Sequence, residues 1–61
     1  MTNAFLTEYQ QGGNTLGQLF ETLPDAFRLF QAALTSGLEA KLYSLQLDKP
    51  PMLITDTKFY K

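Results

Sequence analysis

The chain has 61 residues, 44% of them hydrophobic, with five Lys or Arg against six Asp or Glu for a net charge of -1. That length supports one small core and not two domains of independent stability. His and Cys are both absent, which removes the usual ligands of zinc, haem and iron-sulfur sites, the His base and Cys nucleophile of hydrolytic dyads, and every disulfide.

No enzymatic activity and no cofactor are expected from such a composition. The five cations are scattered from Arg28 to Lys61, so the chain offers no basic face and is not expected to bind nucleic acid by itself. The longest charge-free stretch of the apolar middle, residues 29 to 38, contains Gln31, Thr35, Ser36 and Gly37. A bilayer requires about 20 mostly apolar residues, so no transmembrane segment is expected. Glu8 and the Gln-Gln-Gly-Gly run at 10–13 stand where a secretory signal would place its apolar region, and a cytoplasmic or virion location is expected over a secreted one.

With no Val and a single Ile against many Leu and Ala, the composition favours helix, and the fold class expected is mainly α. In chain order, Asn3 caps a first short helix over about 4–11, with Phe5 and Tyr9 at i,i+4 and Gly12-Gly13 as its stop. Thr15-Leu16-Gly17-Gln18 matches a capping box and opens a second helix over about 16–22, whose Leu16, Leu19, Phe20 and Leu23 form one stripe. Thr22-Leu23-Pro24-Asp25 is the clearest punctuation. Proline is tolerated in a helix's first turn and Asp suits the positive end of the helix dipole, so a third helix begins there and runs over about 24–36. Its Phe27, Phe30 and Leu34 form one apolar stripe, with Ala26, Leu29 and Ala33 beside it.

At Gly37 two paths are open, a break or a continuous helix to Leu47, which would be about 36 Å long. A compact chain of this size is only about 27 Å across. The break is preferred, giving a fourth helix over about 37–47. Pro50-Pro51 ends it, and residues 52–61 are expected as an extended C-terminal arm outside a helical domain of residues 1–51. The alternative is an α+β fold in which 42–47 and 52–59 form a C-terminal β-hairpin, since Tyr43, Leu45 and Leu47 alternate.

Most polar constellations have ordinary explanations. Glu21 and Asp25 lack a third ligand for a cation. Tyr43 beside Lys41, and Tyr60 between Lys58 and Lys61, are too few for a base-stacking surface. Gly12-Gly13-Asn14 lacks the Lys and Ser/Thr of a phosphate loop. The apolar residues say more: Phe27, Phe30 and Leu34 on the helix, with Leu53, Ile54, Phe59 and Tyr60 in the arm, are the expected protein interface. The function expected is therefore a non-catalytic helical interaction protein without a small-molecule substrate. It would be an accessory or structural subunit of a larger assembly, a viral particle or a bacterial multisubunit complex, with a protein partner or self-association. The alternative is a stand-alone regulator or inhibitor that covers a site on one protein.

Overall fold

In the computed structural model, which describes residues 3–60, the order of elements is β1 (Ala4–Gln11), β2 (Asn14–Phe20), α1 (Leu23–Thr35), β3 (Ala40–Leu45), β4 (Met52–Asp56) and a 3-10 turn (Thr57–Tyr60). The strands form one antiparallel sheet in the order β2-β1-β3-β4. The protein is thus an α+β molecule with a single α-helix among the described residues, and the expectation of a mainly helical fold is corrected. Of the four helices expected, only the one near 24–36 forms; 4–11, 16–22 and 37–47 lie largely in strands.

The reason lies in two periods that coincide. Residues i and i+4 share a face in a helix and equally in a strand, where the period is two. Phe5 and Tyr9 therefore fit both, and what separates the two readings is position i+2. That residue is Thr7, which is fully buried between them. Its hydroxyl donates to the Ala26 carbonyl at 2.8 Å, so a polar side chain holds a core position of β1 by tying the strand to the helix. Gly12 and Gly13 are likewise not a helix stop. Both have positive φ, 61° and 84°, and they form the two-residue turn of a β-hairpin closed by Gln11 and Asn14.

Thr15 is accordingly a strand residue and not a cap. The local chemistry at Thr22 is that of a true N-cap: its backbone is extended, its Oγ accepts from the Asp25 N–H at 3.4 Å, and Pro24 sits in the first turn. At the other end, Leu38 N–H donates to the Ala33 carbonyl at 2.9 Å and Gly37 N–H to Leu34 at 3.1 Å. With φ of 79° at Gly37, these bonds make a Schellman cap. The helix ends there, and the chain continues into β3.

Because β2 and β3 flank β1 and run parallel to each other, their connection must cross the sheet, and α1 is that crossover, lying over the central strands β1 and β3. Its Ala26, Phe30 and Ala33, spaced i, i+4, i+7, are buried against Ala40 and Leu42 of β3, with Phe5, Tyr9, Phe20, Phe27 and Leu38 around them. Small alanines on both sides of Phe30 let the helix backbone approach the sheet while one large ring fills the space between layers.

The C-terminal segment is not an arm. Met52–Asp56 pairs with β3, and the expected extended tail is corrected to a fourth strand. The preceding element is a strand, and it ends at Leu45, before the two prolines are reached; the chain turns back onto its own sheet through a turn in which Lys49 N–H donates to the Gln46 carbonyl at 3.3 Å and Asp48 has a φ of 69°. A register shift between Leu42 and Tyr43 leaves Ile54 as the unpaired residue of a β-bulge. Asp56 Oδ1 then accepts from the Lys58 N–H at 2.8 Å and starts the 3-10 turn, while the buried Thr57 hydroxyl accepts from the Ala40 N–H at 3.3 Å.

Candidate functional site

The register fixes which side chains lie on each face of the sheet. Phe5 opposes Phe20, Thr7 opposes Leu42 and Tyr9 opposes Ala40, and these residues face the helix. The alternate residues point the other way, where no element of the described chain covers them. Across all four strands one row on this open face is apolar: Leu19 opposes Leu6, Leu6 opposes Tyr43, and Tyr43 opposes Leu53. With neighbouring strands about 4.8 Å apart, the row spans about 14 Å. Leu19 is 62% exposed and Leu53 44%, with Leu6, Tyr43 and Leu45 half-buried among their neighbours.

An antiparallel sheet covered on one side normally alternates apolar inward and polar outward. Here the outward set breaks that rule in the middle of the sheet. The adjacent row restores polarity, with Gly17, Glu8, Lys41 and Asp56 in register. A Cβ added at Gly17 would lie 3.3 Å from Leu6 Cδ1 and 3.6 Å from Glu8 Cγ. The bare backbone of β2 thus lets these two side chains of the central strand lean toward the sheet edge. Glu8 and Lys41 are directly opposed on adjacent strands, but among the described residues the one ion pair within 4.0 Å is Arg28–Asp25, an exposed pair at 3.7 Å.

A second apolar surface lies on the helix side. Leu23, Pro24 and Phe27 of the helix start, together with Leu42, Ile54, Thr55 and Tyr60, line an open groove of about 410 Å³. The bulge at Ile54 turns that side chain into the groove. A smaller cleft of about 170 Å³ at the other end of the sheet is lined by charged and polar residues that include Glu8, Glu39, Lys41 and Lys58. Among the described residues no three acidic side chains converge as a metal-binding group.

The seven residues expected at an interface are separated by the fold. Phe30 is fully buried, and its ring packs on Phe27 at 5.7 Å and on Tyr60 at 5.8 Å. Phe27 and Leu34 are half-buried on the flank of the helix. Ile54 and Tyr60 are exposed on the helix side, Phe59 is exposed in the 3-10 turn, and Leu53 is exposed on the opposite face. Phe27, Ile54 and Tyr60 do meet, in the groove; Leu34 and Leu53 do not join them. Asp25, considered with Glu21, is engaged by Thr22 and Arg28, and Tyr60 packs on Phe30 instead of forming a stacking surface with its lysines, of which Lys61 lies outside the described residues.

Sequence reasoning missed the open-face row. A signal for it exists in pairs of consecutive apolar residues, Phe5-Leu6, Leu19-Phe20 and Leu42-Tyr43. Once these segments are strands, such pairs must place one apolar side chain on each face. No helix among the described residues is long and apolar enough to cross a membrane. No known family model matches this chain, and no curated protein or solved structure is significantly similar to it.

Proposed function

We propose that this chain is a non-catalytic protein-interaction module, an accessory or structural subunit that binds protein through the open face of its sheet. The observation that carries the reading is the uncovered row Leu19, Leu6, Tyr43, Leu53, continuous across four strands. Contiguous apolar surface of this kind, bordered here on one side by Glu8, Lys41 and Asp56, is a feature of association surfaces. Tyr43 at its centre is a residue type enriched where binding energy concentrates, because a rigid amphipathic ring buries a large area at small entropic cost. The helix serves this function indirectly, by covering the opposite face of the sheet.

The test is affinity purification of the tagged chain from its native source, comparing wild type with the L19E/L53E double variant and with Q31E on the exposed helix surface. Placing two carboxylates in a buried apolar contact costs several kcal/mol. The double variant is therefore expected to lose its co-purifying protein, whether another chain or an untagged copy, while Q31E retains it. Equal recovery with a correctly folded L19E/L53E chain would remove the open face from the binding surface.

A further inference from the structure

Glu8 and Lys41, which flank the apolar row on the two central strands, are placed so that the middle of the face is complementary to itself. We infer that the open face packs against the same face of a second copy of this chain, about a twofold axis that runs along the strands midway between β1 and β3. The inference rests on the reading of that face as a protein-binding surface and names its occupant.

Two sheets packed face to face place their interface about 10 Å thick, with strand directions nearly aligned. A symmetric pair of this kind needs its twofold axis in the plane of the interface. An axis along the strands exchanges β1 with β3 and β2 with β4, given the order β2-β1-β3-β4. Residues that are paired in one sheet then face each other across the interface. Leu6 of one copy lies over Tyr43 of the other, and Leu19 over Leu53, so the whole apolar row is covered by itself. In the next row Glu8 lies over Lys41 and Lys41 over Glu8, which forms two opposite-charge pairs between copies. An axis across the strands would also stack the row on itself, but it would set Glu8 and Lys41 against the Ala4–Leu45 pair, burying charge against apolar side chains at a cost. Charge therefore selects one of the two symmetric arrangements.

The experiment is sedimentation equilibrium of the full chain over a concentration series, for wild type, E8K, K41E and an equimolar mixture of the two variants. Wild type is expected to show a reversible monomer–dimer equilibrium. Each variant alone sets like charges together twice, and its dimer should weaken by about tenfold or more. In the mixture, every interfacial pair between an E8K chain and a K41E chain is opposite in sign, so association should return to near the wild-type level as a one-to-one heterodimer. Because Glu8 and Lys41 are also neighbours within one sheet, rescue by mixing, and not by combining both changes in one chain, is what distinguishes contact between copies. Should a charge reversal unfold the chain, isotope-filtered NOEs on mixed labelled and unlabelled wild type provide the second reading. Leu19 and Leu53 methyls lie on opposite edges of one sheet, about 14 Å apart, so an NOE between them can arise only between copies. A wild type that stays monomeric throughout, or a mixture no more associated than its components, would overturn the second copy as occupant. The broader reading of the face then stands or falls separately with the L19E/L53E purification.

Discussion

Phe30→Ala is expected to leave the chain without a cooperative thermal transition at room temperature. Phe30 is 0% exposed and is the largest side chain in the core, filling the space between the helix and the two central strands. Its removal takes away both the transfer free energy of the ring and the packing of Phe27 and Tyr60 upon it. Phe-to-Ala changes in cores cost about 3–5 kcal/mol, and a core in a domain of this size rarely supplies more than about that amount, with no disulfide or metal to assist. The flanking Ala26 and Ala33 are too small to collapse into the gap. Phe59→Ala makes the contrast: that ring is 72% exposed, and its loss should change stability by no more than about 0.5 kcal/mol. Circular dichroism melts of the two variants check both, and a melting temperature for Phe30→Ala within a few degrees of wild type would show that the ring does not hold the layers together.

Deleting residues 52–61 is expected to unfold the chain as well, because the segment is structural and not appended. It removes β4, which pairs with β3 along Lys41 to Ser44. The Thr57 hydroxyl that accepts from Ala40 N–H and the Tyr60 ring on Phe30 go with it. Leu42, fully buried at present, would then line an exposed sheet edge, and the unpaired backbone of β3 would become a template for aggregation. Light scattering and far-ultraviolet circular dichroism of the truncated chain should report lost cooperativity or precipitation. A truncated chain that melts cooperatively with its helix content intact would instead describe a detachable arm.

These expectations differ from those that the residues suggest when read along the chain, and the difference has a physical origin. Helix punctuation is chemistry between residues three or four apart, so the cap at Thr22, the first-turn Pro24 and the break at Gly37 are all legible in the sequence. Strand assignment depends on alternation, and alternation requires that one face be polar. In β1 the inward set Phe5, Thr7, Tyr9 includes a buried hydroxyl, while the outward set begins with Ala4 and Leu6. In β2 the outward Leu19 adjoins the inward Phe20. With apolar residues on both faces and a polar one in the core, the period of two disappears, and the i,i+4 spacings that survive suit a helix equally well. Leucine in place of Val and Ile weakens the remaining strand signal.

In β3 the alternation of Tyr43 and Leu45 is legible, and it supports the hairpin with the C-terminal segment that the fold contains. Yet those two residues are the outward set, and it is Leu42, immediately before them, that enters the core. The candidate site is illegible for the same reason as the strands. Leu6, Leu19 and Tyr43 obscure the pattern because they are apolar where a solvated sheet would be polar, and that departure is what suggests a binding face. Local rules tend to fail where a residue serves function before fold. Among the interface residues expected from the sequence, Phe30 stands out by its size and helical position, two properties that a core residue shares with a binding anchor; only its packing against Ala40 and Leu42 of β3 separates them.

The central claim is that the uncovered sheet face, and not the helix surface, meets protein. Its most direct measurement is photo-crosslinking in the native source, with a photoreactive amino acid placed at Leu19 on the open face or at Arg28 on the exposed side of the helix. Covalent protein adducts from position 19, with none above background from position 28, are the result expected of the sheet face as the binding surface. Adducts from position 28 and none from position 19 would contradict it.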